Sequence, residues 1–546
     1  MLSTRCIGAA ALSLCAGLAT TTANAEIFQR ISGDQSREHA YSIGRTFDGG
    51  YVTTGYRDDD PAGGAEDVLI TKHKSDGSIE WQRRWRGPGR DIGYSVQQTA
   101  DGGYIVAAES TSSGSPVLGL LLIRLDSAGM LVWNRYYTGS FMSDPIHTPH
   151  PGVALDQGPD GRIFVTGNVA GDPLVLAVGP GGALIWEAIY THPAGPQEGG
   201  QYAFTDIKFD RINQSLVVSG TSINPNFDIA GAVLREQDAF LMRTRLDGSV
   251  VWSWDYDFPF DLDPDDEPIL NVRETGDGLD LGPNGDIILN GRTDFGGPGV
   301  VRGTHLVATD PSGFPTWSAE YAYFTPDGER RPVATAYAAV RFDEEFSIVQ
   351  TGRTLDPNPD VRFHAWESRI DFGGAPMWFW EYGGDKPSRG ESVIPTREPC
   401  GYAMAGQFLL EDGPFFNGET YLVKNNDLGE TGCLERRWDF QPEFEARVDE
   451  APIRPNYVDE NAPAEDALDF ADAAEQVFCY DDDCVPGEPP CPCDINGDGI
   501  LDLADIGGFI TCFTTSSPCG DLNGDGIWDL ADVNLFVSIF QGGCAG

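Results

Sequence analysis

Two twelve-residue stretches near the end of the chain place oxygen-bearing side chains at the spacing that a bound calcium ion requires. They cover residues 494–505 and 521–532, and each has Asp or Asn at loop positions 1, 3, 5, 9 and 12, with glycine at position 6. Calcium takes roughly six to eight oxygen ligands, and position 7 of such a loop supplies a backbone carbonyl. The sequence therefore predicts two calcium ions, held by Asp494, Asn496, Asp498, Ile500, Asp502, Asp505, Asp521, Asn523, Asp525, Ile527, Asp529 and Asp532.

The segments that follow the two loops have the apolar spacing of short amphipathic helices, over 506–513 and 533–540. We expect calcium binding to order these helices, because a segment of about 50 residues holds too little apolar surface to fold unaided. The residues predicted to form the shared core are Ile506, Phe509, Ile510, Phe513, Val533, Phe536, Val537 and Phe540.

Each loop matches the calcium loop of an EF-hand, but prolines at 489, 490, 492 and 518 leave no helix in front of either one. This duplicated loop and exiting helix resembles a dockerin, the calcium-binding module that plugs secreted bacterial proteins into cohesin receptors. The ending Gly542-Gly543-Cys544 is similar to that of GC-type dockerin-anchored secreted proteins. The resemblance implies a module over 491–546 that binds a cohesin-like or other surface receptor through Leu503, Ala504, Leu530 and Ala531. The alternative is a calcium clip with a purely structural role.

The first 25 residues have the pattern of a secretory signal peptide. Arg5 supplies the positive start, residues 7–19 the apolar core, and Ala23-Asn24-Ala25 a small-residue cleavage site. No later run reaches the roughly 18 apolar residues that a membrane-spanning helix needs. The sequence therefore predicts a secreted protein, extracellular or at the cell surface, without a membrane span.

The charge balance of the chain is strongly acidic. It has 84 Asp and Glu against 36 Lys and Arg, a formal net charge of −48. Such a charge repels nucleic acid and anionic lipid surfaces, so neither is an expected partner.

Residues 26–440 contain an internal repeat of four short predicted strands, which indicates a seven-bladed β-propeller. Tryptophan marks the phase of the first six copies, and Cys433 stands at the seventh position. The tryptophans are Trp81, Trp133, Trp186, Trp252, Trp317 and Trp378. The repeat resembles the "Trp…Asp-Gly-Gly-Tyr" propellers of secreted bacterial proteins, as in Asp48-Gly49-Gly50-Tyr51. Residues 27–31 and 434–439 both have the pattern of an outer strand, and we expect them to meet on one blade.

The fold class predicted from the sequence is thus mainly β: a seven-bladed propeller, an acidic linker over 441–490, and a small α-helical module with two EF-hand-like loops. The linker is rich in proline and has no strand periodicity, so we expect it to be extended and mobile. A short helix is predicted over 464–478.

Nine of the eleven cysteines lie after residue 399, and in an exported protein such clustering indicates disulfide bonds. The proposed pairs are Cys400–Cys433, Cys479–Cys484, Cys512–Cys519, and Cys544 with Cys491 or Cys493.

No catalytic motif was found in the sequence: it has no Gly-x-Ser-x-Gly and no His-Glu-x-x-His. His147 and His150 have metal-ligand spacing but lie in a proline-containing loop. Two functions remain. The first is a non-catalytic propeller that binds or displays a glycan or protein; the second is a polysaccharide-active hydrolase with its site on the top face of the propeller. Two carboxylates roughly 5–10 Å apart beside exposed aromatic rings on that face would favour the hydrolase.

Overall fold

The computed structural model describes most of the chain between residues 27 and 480, together with a few helical residues beyond it. The described ranges are 27–33, 36–60, 64, 66–112, 119–137, 152–169, 172–192, 200–227, 233–257, 272–295, 301–324, 330–331, 333–343, 346–354, 363–384, 386–396, 401–409, 418–432, 435–444, 447–450, 454–457, 468–470, 475–480, 506, 509–510, 513, 532–533 and 536–537.

These residues form a seven-bladed β-propeller in which each blade is an antiparallel sheet of four strands, as the repeat predicts. Blades one to three are β2 (Arg37–Arg45), β3 (Tyr51–Asp58), β4 (Asp67–His73), β5 (Ile79–Trp85); β6 (Asp91–Gln98), β7 (Tyr104–Ser110), β8 (Gly119–Leu125), β9 (Leu131–Tyr137); and β10 (Leu155–Gln157), β11 (Ile163–Val169), β12 (Asp172–Val178), β13 (Leu184–Thr191). Blades four and five are β14 (Gln201–Asp210), β15 (Ser215–Phe227), β16 (Val233–Arg245), β17 (Val250–Asp257); and β18 (Val272–Leu281), β19 (Ile287–Phe295), β20 (Val301–Thr309), β21 (Pro315–Phe324), with β22 (Arg330–Arg331) added to β21. Blades six and seven are β23 (Val333–Phe342), β24 (Ile348–Thr354), β25 (Ala365–Ile370), β26 (Pro376–Tyr382); and β27 (Ser388–Thr396), β28 (Gly401–Leu409), β29 (Gly418–Asn426), β1 (Phe28–Ser32).

The hydrophobic core lies between neighbouring blades. One cluster joins Ile105 and Leu122 of the second blade to Val165 and Leu176 of the third, all fully buried. Middle strands are apolar on both faces because each blade packs against two others. The burial of β8, in which every residue is buried, shows this directly.

A tryptophan in the outer strand of each of the first six blades packs on a glycine of the next blade's last turn, which explains the phase of the repeat. Those glycines have φ between 73° and 88°, a conformation that favours glycine. In the fourth blade the tryptophan that marks the phase is Trp252, and a Cβ at Gly313 would lie 2.9 Å from its ring and 2.5 Å from the ring of Trp254. Four residues after the tryptophan, a tyrosine adds a second contact in several blades, as where Tyr256 donates to the Gly313 carbonyl at 2.7 Å.

The ring is closed by the N-terminal strand. β1 pairs with β29 as the fourth strand of the seventh blade, and Phe28 takes the place of the missing tryptophan against Gly77 of the first blade. The expectation that 434–439 shares this blade was wrong. Those residues fall on β30 (Glu435–Phe444), which pairs with β26 of the sixth blade and β21 of the fifth.

After β30 the chain continues around the outside of the ring as a series of added outer strands, which we call the belt. It consists of β30, β31 (Arg447–Glu450), β32 (Arg454–Tyr457), β33 (Leu468–Phe470) and β34 (Glu475–Tyr480). These strands pair with blades six and five, four, three, one and seven in turn. Among the described residues, the second blade has no added strand.

The belt corrects two expectations for the segment after the ring. The predicted helix over 464–478 was wrong, because 468–470 and 475–480 are strands that pair with β5 and β1. The described parts of 441–480 are bound to blade edges rather than free. Backbone pairing to an open edge needs no apolar periodicity, so the sequence pattern gave no sign of it.

Candidate functional site

Most of the predicted calcium and docking residues lie outside the described residues. Of the twelve proposed ligands only Asp532 is described; it has helical backbone geometry and its side chain is fully buried. The partner residues Leu503, Ala504, Leu530 and Ala531 are also outside, so both predictions stay predictions. Each proposed disulfide likewise includes a cysteine outside the described residues. Within the ranges that the structure describes, no three His, Cys, Asp or Glu side chains gather as metal ligands.

The described part of the tail agrees in part with the core predicted for it. Phe509 and Phe536 are buried and stack with ring centroids 4.2 Å apart and planes at 11°. Ile510 and Val537 were expected in the same core, but they are 55% and 44% exposed. Ile510 directly follows Phe509 and Val537 directly follows Phe536, so the two exposed residues occupy equivalent positions in the two repeats.

The central channel of the propeller is the main concave site in the described structure. The first strands of the seven blades stand side by side around it. It encloses a cavity of about 300 Å³ that is lined mainly by β2, β6, β10 and β14. Part of the cavity lining is polar, and its side chains pair with one another. Lys208 Nζ lies 2.7 Å from the Asp206 carboxylate, and Gln97 donates to Asp156 at 3.0 Å.

Inner strands carry a one-residue bulge that turns a variable side chain out of the regular ladder. The bulged residues are Tyr41 in β2, Tyr94 in β6, Thr205 in β14, Asp277 in β18 and Glu391 in β27. Tyr41 and Tyr94 line the cavity. They lie toward the starts of their strands, on the face opposite the tight hairpin turns.

Six residues of blades one, two and seven meet at this end of the channel, and we call them the mouth cluster. They are His39, Tyr41, Tyr56, Tyr94, Arg389 and Glu391. The Tyr41 ring centroid lies 4.1 Å from that of His39 and 4.9 Å from that of Tyr94. His39 Nε2 lies 2.9 Å from Glu391 Oε1, which joins the first blade to the seventh.

Burial keeps the histidine and the tyrosines of the mouth cluster uncharged. It lowers the pKa of His39, although Glu391 acts in the opposite direction, so His39 is neutral at pH 7. Burial raises the pKa of Tyr41 well above its usual value, and the nearby Tyr94 and Tyr56 act in the same direction. The pKa of Tyr94 is raised by burial and by Glu109, against the effect of Arg90. The cluster thus presents neutral hydroxyl and imidazole groups on aromatic rings.

Among its six described residues, the mouth cluster holds a single carboxylate, whereas a hydrolase of the common kind uses a pair. Glu391 is the one carboxylate of the mouth cluster, and it is engaged with His39. Glu109 lies near Tyr94, and its Oε2 is 3.7 Å from Nη1 of Arg90. Within the acidic run Asp58-Asp59-Asp60, Asp58 is buried and pairs with Arg37, while Asp59 and Asp60 are exposed.

The mouth cluster was missed from the sequence, although a signal for it exists. Ala40-Tyr41-Ser42, Gly93-Tyr94-Ser95 and Gly390-Glu391-Ser392 are the same pattern, a small residue and a serine around one variable position. In a structural repeat, a position that varies between constant neighbours is where function is expected. His147 and His150, the metal-spaced histidines of the sequence, lie outside the described residues.

Comparison with known proteins found similar solved structures but no related sequence family. The chain matches no protein-family model, and no curated protein sequence matches it. Among solved structures, it is similar to the polysaccharide lyase Uly1, with 12% identity and a TM-score of 0.39, over 71% of this chain and 90% of that one. It is also similar to Drosophila plexin A in complex with semaphorin 1b, with 9% identity and a TM-score of 0.36, over 73% and 87%. At these values the similarity carries no conclusion about ligand or activity.

Among the residues that the structure describes, no helix is both long enough and apolar enough to span a bilayer.

Proposed function

We propose that this chain is a secreted, non-catalytic propeller that binds a glycan at the mouth of its central channel. In this proposal, the calcium-dependent tail holds the propeller on an extracellular complex or a cell-surface receptor of cohesin-like kind. The observation that carries the proposal is the mouth cluster, in which Tyr41 and Tyr94 line the cavity and the hydrogen-bonded pair of His39 and Glu391 lies beside Tyr41.

The chemistry of the cluster suits a sugar ring. The faces of Tyr41 and Tyr94 provide apolar area with little side-chain entropy to lose, and tyrosine is a frequent contributor of binding energy in interfaces. Sugar hydroxyls need fixed donors and acceptors, and the imidazole, phenol and carboxylate groups of the cluster supply both kinds. A cavity of about 300 Å³ would hold one or two sugar residues, while a longer chain would extend over the surrounding face.

The experiment is a glycan array with the full-length protein in calcium, followed by titration calorimetry with the best oligosaccharide. We expect Tyr41→Ala to weaken binding by roughly 10- to 100-fold, because an aromatic anchor is lost. The matched control is Phe314→Ala, which truncates a 55% exposed ring on the opposite face and should leave affinity unchanged. Equal affinity of both variants, or no glycan bound at all, would contradict the proposal.

For the tail, we propose that two calcium ions bind to the loops 494–505 and 521–532. Equilibrium titration of the full chain should give two tight sites, and Asp494→Ala should leave one of them. A stoichiometry unaffected by that substitution would contradict the assignment of the first loop. Chelation should also release the protein from its receptor, because the loops order the helices that follow them.

A second candidate is a polysaccharide-active hydrolase, and one observation favours it: His39 and Glu391 are hydrogen-bonded beside two tyrosines at the cavity. Such a pair can pass a proton to or from a bound substrate. Release of reducing ends from the array ligand, abolished by Glu391→Gln, would establish this function instead. Binding without any product would support the non-catalytic propeller.

A further inference from the structure

Arg389 differs from the other arginines on the mouth face in its surroundings. Its guanidinium lies over the ring of Phe363, with Cζ 4.3 Å from the ring centroid. Its Nε is buried and has no hydrogen-bond partner, which is also true of Arg37 and Arg84, so the difference lies in the rest of the guanidinium group. Among the described residues, no carboxylate forms an ion pair with it.

Four arginines of blades one and two are held by carboxylates. Arg37 pairs with Asp58, Arg57 with Glu38 at 3.3 Å, Arg84 with Asp67 at 2.5 Å, and Arg90 with Glu66 at 3.4 Å. Other arginines without a carboxylate partner, such as Arg83 and Arg135, donate to backbone carbonyls instead, and among the described residues Arg389 has neither kind of acceptor. The position is therefore better explained by a partner that arrives from outside.

Leaving a guanidinium partly dehydrated and unpaired costs stability unless an anion compensates it. Its planar donors match the two oxygens of a carboxylate or a sulfate, and the stacking on Phe363 holds the plane in place. Arg389 also lies near enough to His39 and Tyr41 for its charge to lower the pKa of both. An anion bound here would touch the same site as the sugar ring.

We infer that the glycan bound at the mouth is an acidic saccharide, whose carboxylate or sulfate group pairs with Arg389. This inference rests on the proposed glycan binding and names the class of ligand. The net charge of −48 repels an acidic saccharide at long range. A preference for acidic over neutral sugars at the channel mouth therefore has to overcome this repulsion. Recognition must then come from short-range contacts at one cation.

The test compares matched acidic and neutral sugars on the full-length protein with calcium. The probes are tetragalacturonic acid and its methyl ester, and a sulfated galactan oligosaccharide with its desulfated form. We expect one acidic member to bind about 10- to 100-fold more tightly than its neutral partner. The two pairs distinguish a carboxylate from a sulfate as the anion.

Arg389→Gln should remove this preference and leave the weaker affinity for the neutral sugar, whereas Arg389→Lys should keep part of it. Arg162→Gln is the control, since Arg162 pairs with Asp160 in a hairpin turn on the opposite face. Thermal unfolding of each variant checks that the propeller is intact.

Two other outcomes separate the two levels of the proposal. If neutral and acidic sugars bind equally, and Arg389→Gln binds like the wild type while Tyr41→Ala does not, the acidic ligand is wrong and glycan binding stands. If no sugar binds, or binding ignores Tyr41 and Arg389 alike, the proposed function fails and the inference fails with it.

Discussion

The ring and the belt are both made of strands, yet they are built in different ways. A ring strand such as β8 is buried along its whole length and packs between two blades, so its residues are constrained on both faces. A belt strand such as β33 pairs three residues with the free edge of β5. The first kind of strand demands a repeated apolar pattern, and the second demands only an exposed edge and a backbone that reaches it.

The end of the belt and the mouth cluster lie on opposite faces of the ring. Tyr480 at the end of β34 pairs with Phe28, and Phe28 packs against the hairpin turn that contains Gly77. The chain therefore leaves the ring on the turn face, opposite the mouth cluster. On the proposed function, a receptor that holds the tail would leave the mouth open to its ligand.

The largest expected effect breaks the ring at its closure. Phe28→Ala should destabilise the protein by about 3–5 kcal/mol, because a fully buried ring is lost where the first and seventh blades meet. Denaturant unfolding measures the change, and Phe28→Leu should cost clearly less. Phe314→Ala, on an exposed ring, is the matched control with an expected change of about 0.5 kcal/mol or less. Similar losses for Phe28→Ala and the control would mean that β1 does not close the ring.

A pH experiment tests a buried carboxyl inside the ring. Burial raises the pKa of Glu367 to about 8, against the effect of its hydrogen bond from Asn425. Because the folded pKa lies above the unfolded one, stability is fully present below about pH 4.5 and falls as pH rises toward 8. Glu367→Gln mimics the protonated acid and should remove a loss on the order of 2–3 kcal/mol between pH 5 and pH 8. Parallel stability curves for the two proteins would contradict this assignment.

A smaller effect is expected at the turn that receives the tryptophan. Gly313→Ala should cost about 1–3 kcal/mol, since φ is +83° there and a Cβ would meet the Trp254 ring. Gly181→Ala provides the control, because a Cβ at that turn position meets nothing within 4 Å. If the two substitutions cost the same, the tryptophan contact does not constrain the turn.

The smallest effect on the ring should come from opening the belt. Hydrogen exchange on the intact protein should show β33 and β34 exchanging on the order of 100-fold faster than β3 and β4, because β33 and β34 are the outermost strands of their sheets and pair along one edge only. The ring's protection should not depend on the belt. Equal protection in belt and ring would show that the belt is part of the cooperative core.

The sequence allowed the ring to be predicted because its constraints repeat. Trp133 and Trp186 marked the phase, and the seven blades follow from it. The closure was only half predicted: the N-terminal strand was assigned correctly as an outer strand, but 434–439 was placed on the wrong blade. Both segments look alike in sequence, and only the free edges of the sheets decide between them.

The site and the belt could not be predicted in the same way. His39 and Glu391 are 352 positions apart and meet only because the ring closes. Tyr41 and Tyr94 look like ordinary strand residues until the bulge turns them out of the ladder. The exposure of Ile510 had a similar cause, because an amphipathic pattern does not say which apolar residue at its border stays in solvent.

Binding of the ligand at the mouth of the channel can be tested most directly by a crystal structure of the protein with the best oligosaccharide from the array bound. We expect a sugar ring to lie against Tyr41 and Tyr94, with an acidic group within hydrogen-bond distance of Arg389. A rival site exists on the opposite face, where Trp254 and Phe314 lie with ring centroids 5.3 Å apart beside a turn. An oligosaccharide bound there, with no contact to the mouth cluster, would contradict glycan binding at the mouth of the channel.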